Sequence, residues 1–396
     1  MLRTAALWAA VFFWTAAWLP EARLGADGFR TLTDMLGREV RLPSEIKKAI
    51  AVDDGLTEEV LINFGLIDRL AGISSQYLLQ KLDYSFAAAG GERISYQSRD
   101  VLPILYPGLE NLPACQAWEG GALNFETLAK IQPDLVILRA GDCGLSLDEV
   151  RLRKTIQALE SFGWPVAVLT APGYDRADTE TLKAEIRLLG EIFNSQEKAA
   201  DLTAYLASLE ETVQQRVSSV PEGARVTMLY LGLASFIRKM SAAASAMGSN
   251  SPVSFMMEQK VRAKNAFRGQ GFGVHLSTEQ IYALDPDVLV LSPLGGFHPP
   301  RELYEHSDFA DLAGLKAVRN RRVYAMPWRA TFCGPRLQYI LDLMVMAKAA
   351  YPDKFQDLNI YSFALDFYQK IYRTDRETAE KLRSAQLLDW MAGENF

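Results

Sequence analysis

The sequence predicts an α/β protein of two Rossmann-like lobes with parallel sheets, joined by one long helix. Three observations lead there. The chain has 396 residues, 49% of them hydrophobic and 23% charged, and a single hydrophobic core stops growing at about 250–300 residues. A helix–strand unit occurs twice at one constant offset. A long run with helical periodicity stands between the two copies. The chain is acidic, with 42 Lys+Arg against 48 Asp+Glu, and lacks a long basic run, so no nucleic-acid partner is expected.

In chain order, Arg3 precedes an apolar stretch from Ala5 to Leu19 that Pro20 ends. As a helix it would span about 22 Å, short of a hydrocarbon core of about 30 Å. With small residues at Ala22 and Ala26, it reads as a secretory signal peptide over residues 1–26. The alternative is an uncleaved anchor. No Cys follows as an acylation site. The mature protein is then expected in the periplasm, where thiols can oxidise.

The repeat is Glu126-Thr-Leu-Ala-Lys-Ile-Gln-Pro-Asp-Leu-Val-Ile-Leu138 and Glu279-Gln-Ile-Tyr-Ala-Leu-Asp-Pro-Asp-Val-Leu-Val-Leu291. Leu128 with Ile131, and Ile281 with Leu284, suit one face of a short helix. Pro133 and Pro286 stop it. Leu135–Leu138 and Val288–Leu291 read as buried parallel strands, followed by later strands at Trp164–Leu169 and Arg322–Met326. Val150–Phe162 is the better patterned crossover helix. Between the copies, Ala199, Leu202, Leu206, Leu209, Val213 and Val217 recur at three- and four-residue steps. That predicts one helix from Ser195 to Ser218, a stiff link between lobes. The expected organisation is an N-terminal lobe over 27–176, a helical segment over 177–218, a C-terminal lobe over 219–346 and helices over 347–396.

Ligands of open α/β sheets sit beyond the carboxyl ends of the strands. Those ends hold Asp54, then Arg139 and Asp142, then Tyr174, in the first lobe. In the second they hold Arg238, then Phe297 and His298, then Trp328, Arg329 and Arg336. Aromatic surface with guanidinium groups suits a large, flat or aromatic, anionic ligand. Core packing of the aromatics and solvated loops for the Arg residues are the alternatives.

These motifs resemble the substrate-binding proteins of iron-siderophore, haem and cobalamin importers of the ATP-binding cassette type. Thr33-Asp-Met-Leu-Gly-Arg-Glu-Val40, Leu66–Ser74, both Pro-Asp repeats, Leu315–Tyr324, Gly334-Pro-Arg336 and the tail from Ala347 carry the resemblance, from about residue 31 to residue 374. It implies the class III periplasmic binding protein fold, a ligand held between the lobes, and a glutamate on each lobe that docks onto arginines of a dimeric inner-membrane permease. The matching positions are Glu126 and Glu279. It also implies cleft tryptophans at Trp118 and Trp328. The chain departs from the family in a long, Tyr-rich insertion, Tyr77–Leu112, which contains Tyr106 and is a candidate cleft wall.

No G-x-S-x-G, HExxH or Walker A motif is present, so no enzyme and no cofactor are expected, a chelatase being the alternative of another class. His275, His298 and His306 all fall in the second lobe, so no bare-metal site bridging the cleft is expected. Cys115–Cys143 is the natural disulfide; a three-thiolate site with Cys333 and unpaired thiols are the alternatives. The expected role is a monomeric periplasmic protein that captures a metal chelate, foremost a ferric siderophore, for the permease. Haem, a corrinoid and a molybdate-type oxyanion are the alternatives.

Overall fold

A computed structural model describes residues 28–117, 120–142, 145, 148–173, 176–234, 237, 242–293, 296–330, 334–394 and 396. The expected signal peptide lies outside them, as do Trp118, Cys143, Tyr174, Arg238 and Cys333. Among the described residues no helix is long and apolar enough to cross a membrane.

An opening antiparallel hairpin pairs β1 (Phe29–Thr33) with β2 (Glu39–Pro43). The first sheet is wholly parallel. Its strands β3 (Ala49–Val52), β4 (Leu70–Gly72), β7 (Leu135–Ala140) and β8 (Val166–Thr170) lie in the order β4-β3-β7-β8. Nearly every residue of these strands is buried, which is why they read as continuous apolar runs. Between β4 and β7 the Tyr-rich insertion forms a separate two-stranded ribbon, β5 (Lys81–Ala87) with β6 (Arg93–Arg99).

The second sheet is built on the parallel strands β9 (Thr227–Gly232), β13 (Val288–Ser292) and β14 (Val323–Ala325), with β11 (Lys264–Asn265) parallel to β9. It differs from the expected all-parallel sheet. β10 (Ala244–Ala246) runs antiparallel to both β9 and β12 (Val274–Leu276). These two strands are only three residues long, too short to carry a periodicity that distinguishes them from loop.

The repeat survives in backbone detail. Its helices are Phe125–Ile131 and Thr278–Leu284. Asn124 caps one, its side chain accepting from Thr127 N at 3.0 Å, and Ser277 caps the other in a reciprocal capping box with Gln280. Each helix ends on a left-handed residue immediately before the proline, Gln132 at φ 54° and Asp285 at φ 30°. The proline ring excludes the right-handed helical region for that residue.

The linking helix is Gln196–Val217. Ala199, Leu202, Leu206, Val213 and Val217 face the core as their spacing requires. Glu210 is buried among them, within 3.2 Å of Lys183 and 2.6 Å of Lys260, and accepts from the Tyr339 hydroxyl. Burial opposes its charge, but the bonds from Lys260 and Tyr339 prevail and hold its pKa below the usual range. Lys183 lies on the preceding helix, Thr179–Ile192, and Lys260 in the second lobe, so one carboxylate ties both to the link. The C-terminal helices Ile360–Tyr372 and Arg376–Ala385 fold back against Leu56–Phe64 of the first lobe and against the ribbon.

Candidate functional site

The carboxyl ends of the first sheet converge on a buried charged network. Asp53 directly follows β3 and steadies the start of the Leu56–Phe64 helix, accepting from Gly55 N at 2.8 Å and Thr57 N at 2.9 Å. Gly55 lies at φ 107°, and a Cβ there would stand 2.5 Å from Arg336 Nη1. Glycine is therefore required both for the backbone and for the approach of that guanidinium.

Arg139 ends β7 with no exposed surface. It grips Glu185 in a two-pronged pair at 2.7 and 2.8 Å, donates to Asp54 at 2.7 Å, and donates to the Pro335 carbonyl at 2.9 Å. Asp54 accepts also from Gly334 N at 3.0 Å, and Asp142 accepts from Asp54 N at 3.0 Å. Arg336 enters from the far side. It pairs with Glu59 and Asp100, each at 3.1 Å, and donates to the Asp54 carbonyl. Arg329 is committed to Asp342. Three of the guanidiniums expected to hold a ligand thus bind carboxylates of this chain.

Acids outnumber bases here, and burial shows in their protonation. Burial raises Asp54 although Arg139 and Arg336 oppose it. Burial and the neighbouring Asp54 push Asp142 well above the usual range. Burial lifts Glu59 to about 7 against the pull of Arg336. Glu58, buried beside Asp53, is raised well above the usual range by burial and by that neighbour. Glu58, Glu59, Asp100 and Glu185 were not legible as members. Glu58 and Glu59 look like ordinary first-turn acids that favour a helix N-terminus.

The second sheet ends differently. Phe297 and Trp328 are buried with Ala325, packed against Leu82 and Tyr96 of the ribbon. Tyr96 meets Phe297 edge-on at 5.0 Å. His298 Nδ1 lies 2.8 Å from Glu302 Oε2 and 3.2 Å from the Tyr84 hydroxyl, which donates to Glu302 Oε1.

Cys115 is a free buried thiol; Cys143, its expected disulfide partner, lies outside the described residues. The Cys115 sulfur packs inside the apolar cluster with Ile50, Val52 and Leu138, and burial pushes the thiol up to about 12. The structure sets the Tyr106 hydroxyl toward the opposite end of the first sheet. It donates to Asp68 at 3.1 Å, and Asp68 precedes β4, at the amino end of a parallel sheet whose ligand face is the carboxyl end. Trp118, Tyr174 and Arg238 lie outside the described residues.

Glu126 and Glu279 are both exposed in the first turn of the matched helices. Glu126 bonds Lys130 at 2.7 Å, which lowers its pKa; a bond from Ser277 lowers that of Glu279. Both stand ionised at neutral pH. Among the described residues no group of His, Cys, Asp and Glu is arranged to hold a metal ion.

A family model described as periplasmic binding protein matches residues 97–330. The molybdate-binding protein MolA of Haemophilus influenzae is 24% identical over 375 residues, covering 91% of this chain and 95% of that protein. Among solved structures, a periplasmic solute-binding protein from Veillonella parvula superposes with TM-score 0.69 at 23% identity, over 93% of this chain and all of that one. The molybdate-bound MolA structure gives TM-score 0.63 at 20% identity, over 87% and 98%. Helicobacter pylori CeuE with nickel and histidine gives 0.60 at 18%, over 89% and 98%.

Proposed function

Because the chain belongs to the periplasmic binding protein family, whose members serve transporters and are not enzymes, we propose that it captures a metal-bearing solute and delivers it to a dimeric permease. The observation that carries delivery is the matched placement of Glu126 and Glu279. One ionised carboxylate stands exposed on each lobe, at the same position of the same helix–strand unit. In this reading residues 1–26 are removed on export. N-terminal sequencing of periplasmic material tests that, and a mature chain starting at Met1 refutes it.

We further propose a compact oxyanion of the molybdate type as cargo, ahead of the ferric siderophore expected from sequence. The chelate expectation rests on the supply of cleft Arg and aromatic residues. Arg139, Arg329 and Arg336 are spent on internal ion pairs, and Phe297 and Trp328 on packing. An oxyanion needs none of them, since backbone N–H groups and hydroxyls hold one at helix N-termini. The likeness to a molybdate-binding protein over nine-tenths of the chain supports the same choice. A bulky chelate is the second reading, favoured by the aromatic ends of the second sheet.

Calorimetric titration with molybdate, tungstate, a ferric catecholate, haem and cobalamin tests the cargo. Saturable binding of the oxyanions alone is expected, and tight binding of a chelate with no oxyanion binding refutes it. Glu126→Ala with Glu279→Ala tests delivery. Unchanged cargo affinity with impaired uptake is expected, and normal uptake by the double variant refutes docking.

A further inference from the structure

The ribbon β5–β6 belongs by chain order to the first lobe, yet it lies on the strand ends of the second. Phe297 follows β13 and Trp328 follows β14, where ligands of such sheets are placed. Both are covered from within. Leu82 and Tyr96 of the ribbon pack on this cluster beside Ala330, Leu387 and Trp390, with Tyr96 edge-on to Phe297, and the Tyr84 ring lies so near Gly296 that a Cβ there would stand 3.1 Å from it. Polar contacts hold the ribbon down. The Tyr84 hydroxyl donates to Glu302, beside His298, and Arg301 pairs with Glu92 near the ribbon's turn at 2.9 Å. Gly90 and Gly91 make that turn, at φ 92° and 84°.

From this placement we propose that the ribbon determines specificity: its tyrosines occupy the aromatic strand-end platform of the second lobe, so that cargo is restricted to compact solutes and flat chelates are refused. The proposal rests on the reading of this chain as a solute-binding protein whose cargo is compact, but not on which compact solute it carries. Stacking a porphyrin, corrin or catecholate on Phe297 requires the ribbon to leave, and leaving breaks the Glu302 bond and uncovers Leu82, Tyr96 and Phe297 at once. A compact ion needs no such displacement. The Arg301–Glu92 pair is exposed and stands apart from the aromatic contact, so it can be loosened without altering the platform.

The test compares wild-type protein with Tyr84→Ala/Tyr96→Ala and with Arg301→Glu/Glu302→Gln. The second pair leaves the ribbon's own sequence intact. Arg301 is half exposed, so Arg301→Glu alone, which sets like charges against Glu92, serves if the doubles fail to give a cooperative melt. Each protein is titrated with haem, cobalamin, a ferric catecholate and molybdate, by calorimetry and tryptophan emission. Affinity for at least one bulky chelate is expected to rise tenfold or more in the folded variants, with molybdate affinity within threefold of wild type. Unchanged chelate affinity in the folded variants overturns the proposal, as does wild-type binding of a bulky chelate as tight as the variants show. If molybdate binds no form and the chelates still gain, the ribbon filters and the oxyanion cargo is wrong. If molybdate binds and the chelates gain nothing, the cargo stands and the filter is wrong.

Discussion

Beyond the strands of the first sheet stand Asp54, Arg139 and Asp142; beyond those of the second stand Phe297 and Trp328. The helix–strand unit beneath is the same in both lobes, down to the left-handed residue before its proline. The difference therefore comes from the loop side chains and from what each demands of its neighbours. A buried charge must be met by counter-charges and donors. The first lobe recruits Glu185 from a helix, Glu59 from another, Asp100 from the end of the ribbon, and Arg336 and the Gly334 amide from a loop two hundred residues away. That fixes the elements to one another. A buried aromatic needs only apolar cover, which the two-stranded ribbon supplies together with Leu387 and Trp390. Charged strand ends make a rigid seam, and aromatic strand ends make a surface that can be covered or uncovered.

The contrast breaks most sharply at Arg336. Arg336→Leu leaves Glu59 and Asp100 buried without a counter-charge, and removing one partner of such a pair costs about 3–5 kcal/mol. Denaturant unfolding is expected to show a loss of that size. A loss under about 1 kcal/mol means the network relaxes as freely as the aromatic side, and the distinction fails.

The next effect is in pH. Glu59 rises from 4.5 to about 7 on burial. The folded state then holds more protons than the unfolded state between those values. Its contribution is complete below about 4.5 and is lost as pH climbs through about 7, by at most about 3 kcal/mol. Melting temperature is expected to fall across that window in wild type and to fall less in Glu59→Gln. Equal slopes in the two proteins count against a protonated seam.

On the ribbon side the changes are smaller. Tyr84→Phe keeps the ring on Gly296 but strips Glu302 of a donor, at about 1–3 kcal/mol. Hydrogen exchange of the ribbon amides is expected to quicken while amides of β3 and β7 hold their protection. Quickening in both places would join the two regions into one unit. The smallest effect lies in the shared scaffold. Ser277→Ala removes a capping-box partner and costs about 1 kcal/mol, and it is expected to leave ribbon exchange unaltered. A thermal melt and the same exchange map check both halves of that statement.

Much of the scaffold was legible because it is local. The linking helix, the repeat, its terminating prolines and the buried strands of the first sheet follow from periodicity and from residues that constrain their own backbone. The matched placement of Glu126 and Glu279 was legible for the same reason: each opens a motif that the chain repeats. The short antiparallel strands β10 and β12 escaped because three residues carry no period.

The roles of the strand-end residues were decided only by tertiary structure. Sequence alone placed Arg139, Arg336, Phe297 and Trp328 at strand ends and marked their chemistry. It could not say whether a guanidinium there would face a ligand or a carboxylate of the chain itself, because Glu185 and Asp100 are brought up by packing and not by spacing. It could not show that Tyr84 and Tyr96 cross from one lobe to cover the other, since nothing in a ribbon's own alternation names the surface it will lie on. Cys115 makes the same point at the scale of one atom. Sequence marked its sulfur for pairing chemistry, and packing sets it against Ile50 and Val52. Local sequence sets which elements form and what chemistry they carry; only the contacts between distant elements decide which of those groups are spent inside the protein and which are left to bind.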